Sequence, residues 1–237
     1  MINIKPDKTI SPFSSLCNYS IIYGAPVEPM AANLTDREKV AVEILENCGV
    51  AAGFQLESLW PPKKGGRALK RLARFGVVWR HRLEGEYTLN IYTMPGSQPS
   101  ADECIRRMAI AELYRKAREV KPASIKPAEP PLAGILELGG AEFPLLVVRR
   151  GDGTRLLPQL LKNLPRLLVV AELSVPFSSG AQRIEQVFFQ FPFLRECGMR
   201  IPLRVTTDER LMELPFSSLF FGSATDNTSD NASSPVL

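Results

Sequence analysis

From Lys63 to Arg82 the chain reads KKGGRALKRLARFGVVWRHR, with eight Lys or Arg and no Asp or Glu. The cations are Lys63, Lys64, Arg67, Lys70, Arg71, Arg74, Arg80 and Arg82, and His81 stands among them. Eight like charges in a row repel one another unless a polyanion relieves them, so the chemistry they suggest is phosphate binding. The whole chain of 237 residues carries only +4, so the other 217 residues hold 21 basic against 25 acidic side chains. The average hides one local patch.

Other chemistries have less material. Cys17, Cys48, Cys104 and Cys197 lie far apart and form no C-x-x-C pair, so a zinc site lacks its short-spaced ligands. They read as free thiols in a reducing cytosol. The single histidine, His81, has no nucleophile beside it and fits a surface contact or a neutral filler. Gly139-Gly140 and Gly151-Asp152-Gly153 are turn signals without the strand–G-x-x-x-x-G-K–helix context of a phosphate loop. No apolar run approaches the roughly 20 residues of a membrane span. The opening MINIKPDKTISPF lacks the blocks of a signal peptide. The expectation is a soluble, cytoplasmic chain with no membrane contact, no cofactor, no metal and no catalytic residue.

The elements that must position the cations follow from periodicity. Thr35 with Glu38 three residues on predicts a capping box, and Val40, Ala41, Ile44, Leu45 and Cys48 recur at helical spacing up to Gly49. A short second helix fits residues 54–59. After Pro61-Pro62 a third helix is expected over residues 63–75. Leu69, Leu72 and Ala73 form its buried stripe, and Lys63, Arg67, Lys70 and Arg74 share the opposite face. Gly65 and Gly66 are poor helix residues, so either they allow a close backbone approach or the helix starts after them. VVWRHRL and YTLNIY, joined by Glu84-Gly85-Glu86, read as a hairpin.

Helix, helix, basic helix and hairpin make the order of a winged helix-turn-helix. A longer helix fits residues 101–120, and KPASIKPAEPP reads as a linker. GILELGG, FPLLVVRR, RLLVVAEL and IPLRVTT read as strands. LLPQLLKNL, AQRIEQVFFQFPFLREC and residues 208–212 read as helical. The expected class is α+β, an N-terminal winged helix-turn-helix followed by a small mixed α/β domain. Residues 1–33 are expected to be a poorly ordered arm with one short strand at 20–23. Residues 34–95 form the DNA-binding domain, 101–120 a connecting helix, 130–216 the α/β domain and 217–237 a disordered tail.

A recognition helix meets base edges with its first residues, which here are Lys63, Lys64 and Arg67. Lys70, Arg71 and Arg74 sit further along and suit phosphates. Arg80, His81 and Arg82 close the first wing strand, where a wing tracks the adjacent groove or backbone. Trp60, Phe75 and Trp79 are read as packing residues.

The segments RALKRLARFGVVWRH, PPLAGILEL, FPLLVVRRGDGT and RLLVVAEL, in this order, resemble the replication-relaxation family of bacterial plasmids and integrated mobile elements. The resemblance spans roughly residues 34–211. It implies a second half similar to restriction-endonuclease-like domains. Their chemistry needs an acid on one strand and an acid-x-Lys triplet on the next, to hold a divalent metal. Here Leu132 follows Pro131 where the acid is expected, and Val147-Val148-Arg149-Arg150 carries no carboxylate. Glu137, Glu142, Asp152 and Glu172 are nearby, none in such a triplet. Glu172 ends a strand, where α/β sites form, and a salt bridge with Arg166 or Arg183 is its plain alternative.

The resulting expectation is a double-stranded DNA-binding protein acting in replication or transcription control. Its second half would serve self-association as a homodimer, or a protein partner docked through residues 130–216. Two alternatives stand beside it. One is a metal-dependent nuclease with a rearranged site using Glu137, Glu142 or Glu172. The other is a winged-helix module that binds protein.

Overall fold

The computed structural model describes residues 10–152, 164–172 and 183–220, with side chains from residue 185 in the last stretch. The class is α+β, and the chain divides into two compact units, Met1–Glu119 and Val120–Leu237. No helix among the described residues is long and apolar enough to cross a membrane.

In the first unit β1 (Ser20–Ile22) precedes α1 (Asp36–Cys48), β2 (Val50–Ala52), α2 (Gly53–Glu57) and α3 (Gly65–Arg74). The hairpin β3 (Trp79–Glu84) and β4 (Thr88–Thr93) follows, and then α4 (Ala101–Val120). The Glu38 carboxylate starts α1 by accepting from the Thr35 N–H and hydroxyl, both at 2.9 Å. The helix ends at Gly49, whose φ of +78° suits a residue without Cβ. Ala41, Ile44, Leu45 and Cys48 are buried, as the helical spacing predicts. The strands form one antiparallel sheet in the order β1-β3-β4-β2.

Three expectations change here. The Val50–Ala52 strand between the first two helices is too short to show a period, but it pairs with β4 and is fully buried. The third helix starts at Gly65, because Lys63 takes a left-handed φ of +69° and Lys64 is only the cap. Residues 10–33 of the arm pack against the rest of the unit. They have no internal period because their partners are distant in sequence. β1 pairs with the outer edge of β3, Ile21 against Leu83. Phe13 and Cys17 are buried, the Tyr87 hydroxyl donates to the Ile10 carbonyl, and the Met30 N–H donates to Phe75 O at 2.9 Å. Gly24 lies so close to the Arg80 carbonyl that a Cβ would overlap it.

The second unit holds a five-stranded sheet in the order β5 (Ala123–Lys126), β6 (Gly134–Leu138), β7 (Ala141–Val148), β8 (Leu167–Ala171) and β9 (Leu203–Thr207). The first three strands run antiparallel, and β7, β8 and β9 are parallel. β5 lies in the segment read as a linker, where Ile125 pairs with Leu136. Helices α5 (Arg183–Gln190) and α6 (Pro192–Gly198) cover one face, with Val187, Phe191, Phe193, Leu194 and Cys197 in the core against Leu146, Val169 and Val205. After β9 comes α7 (Asp208–Glu213). Leu219, expected in the tail, is buried, and Arg210 Nε donates to its carbonyl at 3.0 Å. The expected helix over LLPQLLKNL and the tail beyond residue 220 lie outside the described residues.

Candidate nucleic-acid interface

α3 buries Leu69 and Leu72 and turns Lys63, Lys64, Arg67, Lys70 and Arg74 outward. None of these five has an ion-pair partner among the described residues; the Arg74 guanidinium lies over the Phe75 ring at 5.5 Å. The two glycines are explained by packing. A Cβ on Gly65 would sit 2.8 Å from Glu57 Cα, so α3 meets the end of α2 backbone to backbone. The close approach that glycine permits is therefore to this chain, and it holds Lys63 and Lys64 at the helix entrance.

The helix start is electrostatically unusual. Partial positive charge gathers at a helix N-terminus, so acids there stabilise and cations cost about 0.3–1 kcal/mol each. α1 opens with Asp36 and Glu38, and α4 with Asp102 and Glu103. The first turn of α3 has no acid, and two lysines precede it. Helix dipole and side chains add to one positive end, which suits an external anion.

The other four residues assigned to the interface have duties inside the fold. Arg71 is half-buried and donates through Nε and Nη2 to Glu38 at 2.9 and 2.6 Å, and to the Asn33 carbonyl at 3.1 Å. Burial pushes the Glu38 carboxyl up, but the bonds from Arg71 and Thr35 outweigh this and hold it below its ordinary value. Arg80 is exposed and fans onto Asn90 Oδ1 at 2.9 and 3.2 Å. Arg82 pairs with Glu84 at 3.0 Å. Of the two readings of His81, surface contact and neutral filler, the buried ring fits the second and leaves the contact set. Its side chain points into the core at 2 % exposure, so it reaches no phosphate.

The His81 ring links two segments. Nδ1 accepts from the Gly24 N–H at 3.2 Å, which assigns the proton to Nε2. Nε2 then donates to Thr93 Oγ1 at 3.1 Å, and Thr93 donates to Ser97 O at 3.4 Å. Burial holds the imidazole pKa below its ordinary value. Trp79 packs edge-on to this ring and donates to the Val27 carbonyl at 3.4 Å, as a packing residue should.

Sequence reasoning missed Asn90. The signal for it is the alternation in TLNIY, which puts Thr88 and Asn90 on the face opposite Leu89 and Ile91. Tyr92, opposite Arg80, is buried. Burial raises its phenol pKa, and both the Arg80 guanidinium and the Glu57 carboxylate act on it. Because Glu57 also touches Gly65 and Gly66, the Arg80 end of the hairpin and the entrance of α3 share a neighbourhood.

The acids of the second unit separate into two places. Glu137 and Glu142 stand directly opposite one another on β6 and β7, and Lys126 Nζ lies between them at 3.0 and 2.7 Å. The ammonium holds Glu137 below the ordinary carboxylate range. Glu172 is elsewhere. The parallel register aligns Val148, Ala171 and Thr207, so Arg149, Glu172 and Asp208 follow them as a buried row at the carboxyl edge. Arg149 Nε pairs with Glu172 at 3.3 Å. Arg166 instead covers the Phe143 ring at 4.8 Å, and the Arg183 side chain is outside the described residues. Asp152 accepts from the Arg149 N–H at 2.7 Å. Among the described residues no three His, Cys, Asp or Glu are grouped to hold a metal ion. All four cysteines are free and buried, and burial pushes the Cys104 thiol up to about 12.

Comparison with protein-family models, with curated proteins and with solved structures returned no match.

Proposed function

We propose that this chain binds double-stranded DNA through α3, read as the recognition helix of a winged helix-turn-helix. One observation carries the reading. Lys63, Lys64, Arg67, Lys70 and Arg74 are exposed and without ion-pair partners among the described residues, and the first three stand at the N-terminal end of the helix, where cations do not stabilise the fold. A helix fits the major groove, and five such cations suit its phosphates and base edges. The hairpin contributes Arg80 and Asn90 as a second, weaker contact. The resemblance to the replication-relaxation family, and a role in replication or transcription control of a mobile element, belong to the same proposal.

The experiment is a salt titration of duplex binding by fluorescence anisotropy. Lys63→Glu with Arg67→Glu should weaken binding to all sequences and lower the salt slope by roughly one unit for each phosphate no longer neutralised. Unchanged affinity and slope would sink the reading. Salt-insensitive binding of a protein partner with no DNA retention would favour the interaction module instead. The nuclease alternative has less support, because Lys126 already pairs with Glu137 and Glu142, and Arg149 with Glu172.

A further inference from the structure

The first turn of α3 holds no acid of its own, but α2 brings one to it. The Glu57 backbone packs on Gly65, and a Cβ on Gly66 would lie 3.3 Å from Glu57 Oε1. The carboxylate therefore reaches the entrance of the helix read as the recognition helix. The hairpin is close on another side. Glu57 and Arg80 both act on the buried Tyr92 phenol, and a Cβ on Gly53, at the start of α2, would lie 3.7 Å from Asn90 Cβ. Glu57 thus neighbours both groups of cations assigned to DNA. It is half-buried, and its carboxylate has no ion pair or hydrogen bond among the described residues, although Lys63, Lys64 and Arg67 stand at the same helix entrance.

A free carboxylate on a phosphate-binding surface repels every duplex alike. That repulsion is offset only where the carboxylate meets a donor that some sequences present and others do not. The first residues of a recognition helix lie at base edges, so such a donor is within its reach. In the major groove guanine and thymine present acceptors, and adenine has an acceptor beside its amine. Cytosine is the base whose own edge carries an amine and no acceptor, and a carboxylate accepts from that amine. We propose that Glu57 reads a cytosine amine in the major groove and is a specificity-determining residue of the interface. Gly65 and Gly66 clear the space in which its carboxylate lies. The assignment rests on the DNA-binding reading of α3.

An acid beside a helix N-terminus also steadies the helix, so the test separates the two duties. The full chain selects sites from a random duplex library, and the retained DNA is sequenced. The wild type should enrich a motif with a fixed cytosine. Glu57→Gln keeps the shape and removes the charge. It should abolish the cytosine preference at that one position, preserve the other positions and bind random duplex more tightly than the wild type. A second measurement alters the DNA instead. A pyrimidinone that lacks only the exocyclic amine replaces the fixed cytosine. It should weaken wild-type binding about tenfold more than it weakens binding by Glu57→Gln. An unchanged motif in Glu57→Gln, or equal losses with the pyrimidinone, overturns the proposal and leaves the DNA-binding reading standing. A lowered melting temperature with an unchanged motif would show a duty to the helix alone, and overturns it too. A wild type that retains no duplex sinks the DNA-binding reading, and this proposal with it.

Discussion

The cations of α3 and the arginine at the end of β7 carry the same charge in opposite circumstances. Lys63, Lys64, Arg67, Lys70 and Arg74 face solvent without ion-pair partners among the described residues, whereas Arg149 is buried against Glu172. The first group contributes little to holding the protein together, so its presence asks for an external partner. The second is internally matched, and its removal would take a cation away from a buried carboxylate. Charge points to function only after the fold has taken its share. By that criterion, three neighbours in one basic run part company: Arg71 belongs to the fold, and Arg67 and Arg74 do not.

Replacing Arg149 with Met should break the comparison most visibly. Glu172 would lose a buried cation that pairs with it, and thermal unfolding should report a loss of about 3–5 kcal/mol. A loss under about 1 kcal/mol would mean that the pair is not truly dry. The next effect separates nearby arginines of α3. Arg71→Ala should cost about 1–3 kcal/mol by leaving Glu38 under-bonded, without changing the salt slope of DNA binding. Arg67→Ala should do the reverse, with stability within about 0.5 kcal/mol and a slope smaller by about one. Equal behaviour of the two would erase the distinction.

His81 gives a smaller, pH-dependent effect. Its folded-state pKa lies below the unfolded value of 6.5, so the unfolded chain takes the proton first. Stability is complete above 6.5 and declines as pH falls through that value toward the folded pKa. Melting temperatures at pH 8 and pH 5 should differ by less in His81→Gln than in the wild type. The smallest effect belongs to Arg82. Its pair with Glu84 is solvent-exposed, so Arg82→Ala should change stability by no more than about 1 kcal/mol.

Much of this architecture is legible in the sequence because it is local. Thr35 and Glu38 announce α1, the Leu69–Leu72 stripe announces α3, and the apolar run of β8 announces a buried strand. What escapes notice depends on partners far along the chain. Residues 10–30 have no period of their own, and only the edge of β3 makes a strand of Ser20–Ile22. Val50–Ala52 is three residues long and becomes a strand only beside β4. The set of cations is legible, but its division is not. Composition cannot say that His81 turns inward between Gly24 and Thr93, or that Arg71 reaches back to Glu38. Glu172 does sit at a strand end, and the Arg149 that pairs with it follows the neighbouring parallel strand, 23 residues back in the chain.

The arm strand β1 has a consequence for how this protein tolerates shortening. A protease cut between β1 and α1, if the arm then left, would bare the outer edge of β3, a row of N–H and C=O groups with Trp79, His81 and Leu83 on one face and Arg80, Arg82 and Glu84 on the other. Such an edge is a template on which a second chain can add its own strand, and clumping follows from repeated addition. The native chain meets that hazard with a cover only three residues long. Losing the arm would then show itself first as turbidity, before any loss of the surface that α3 presents.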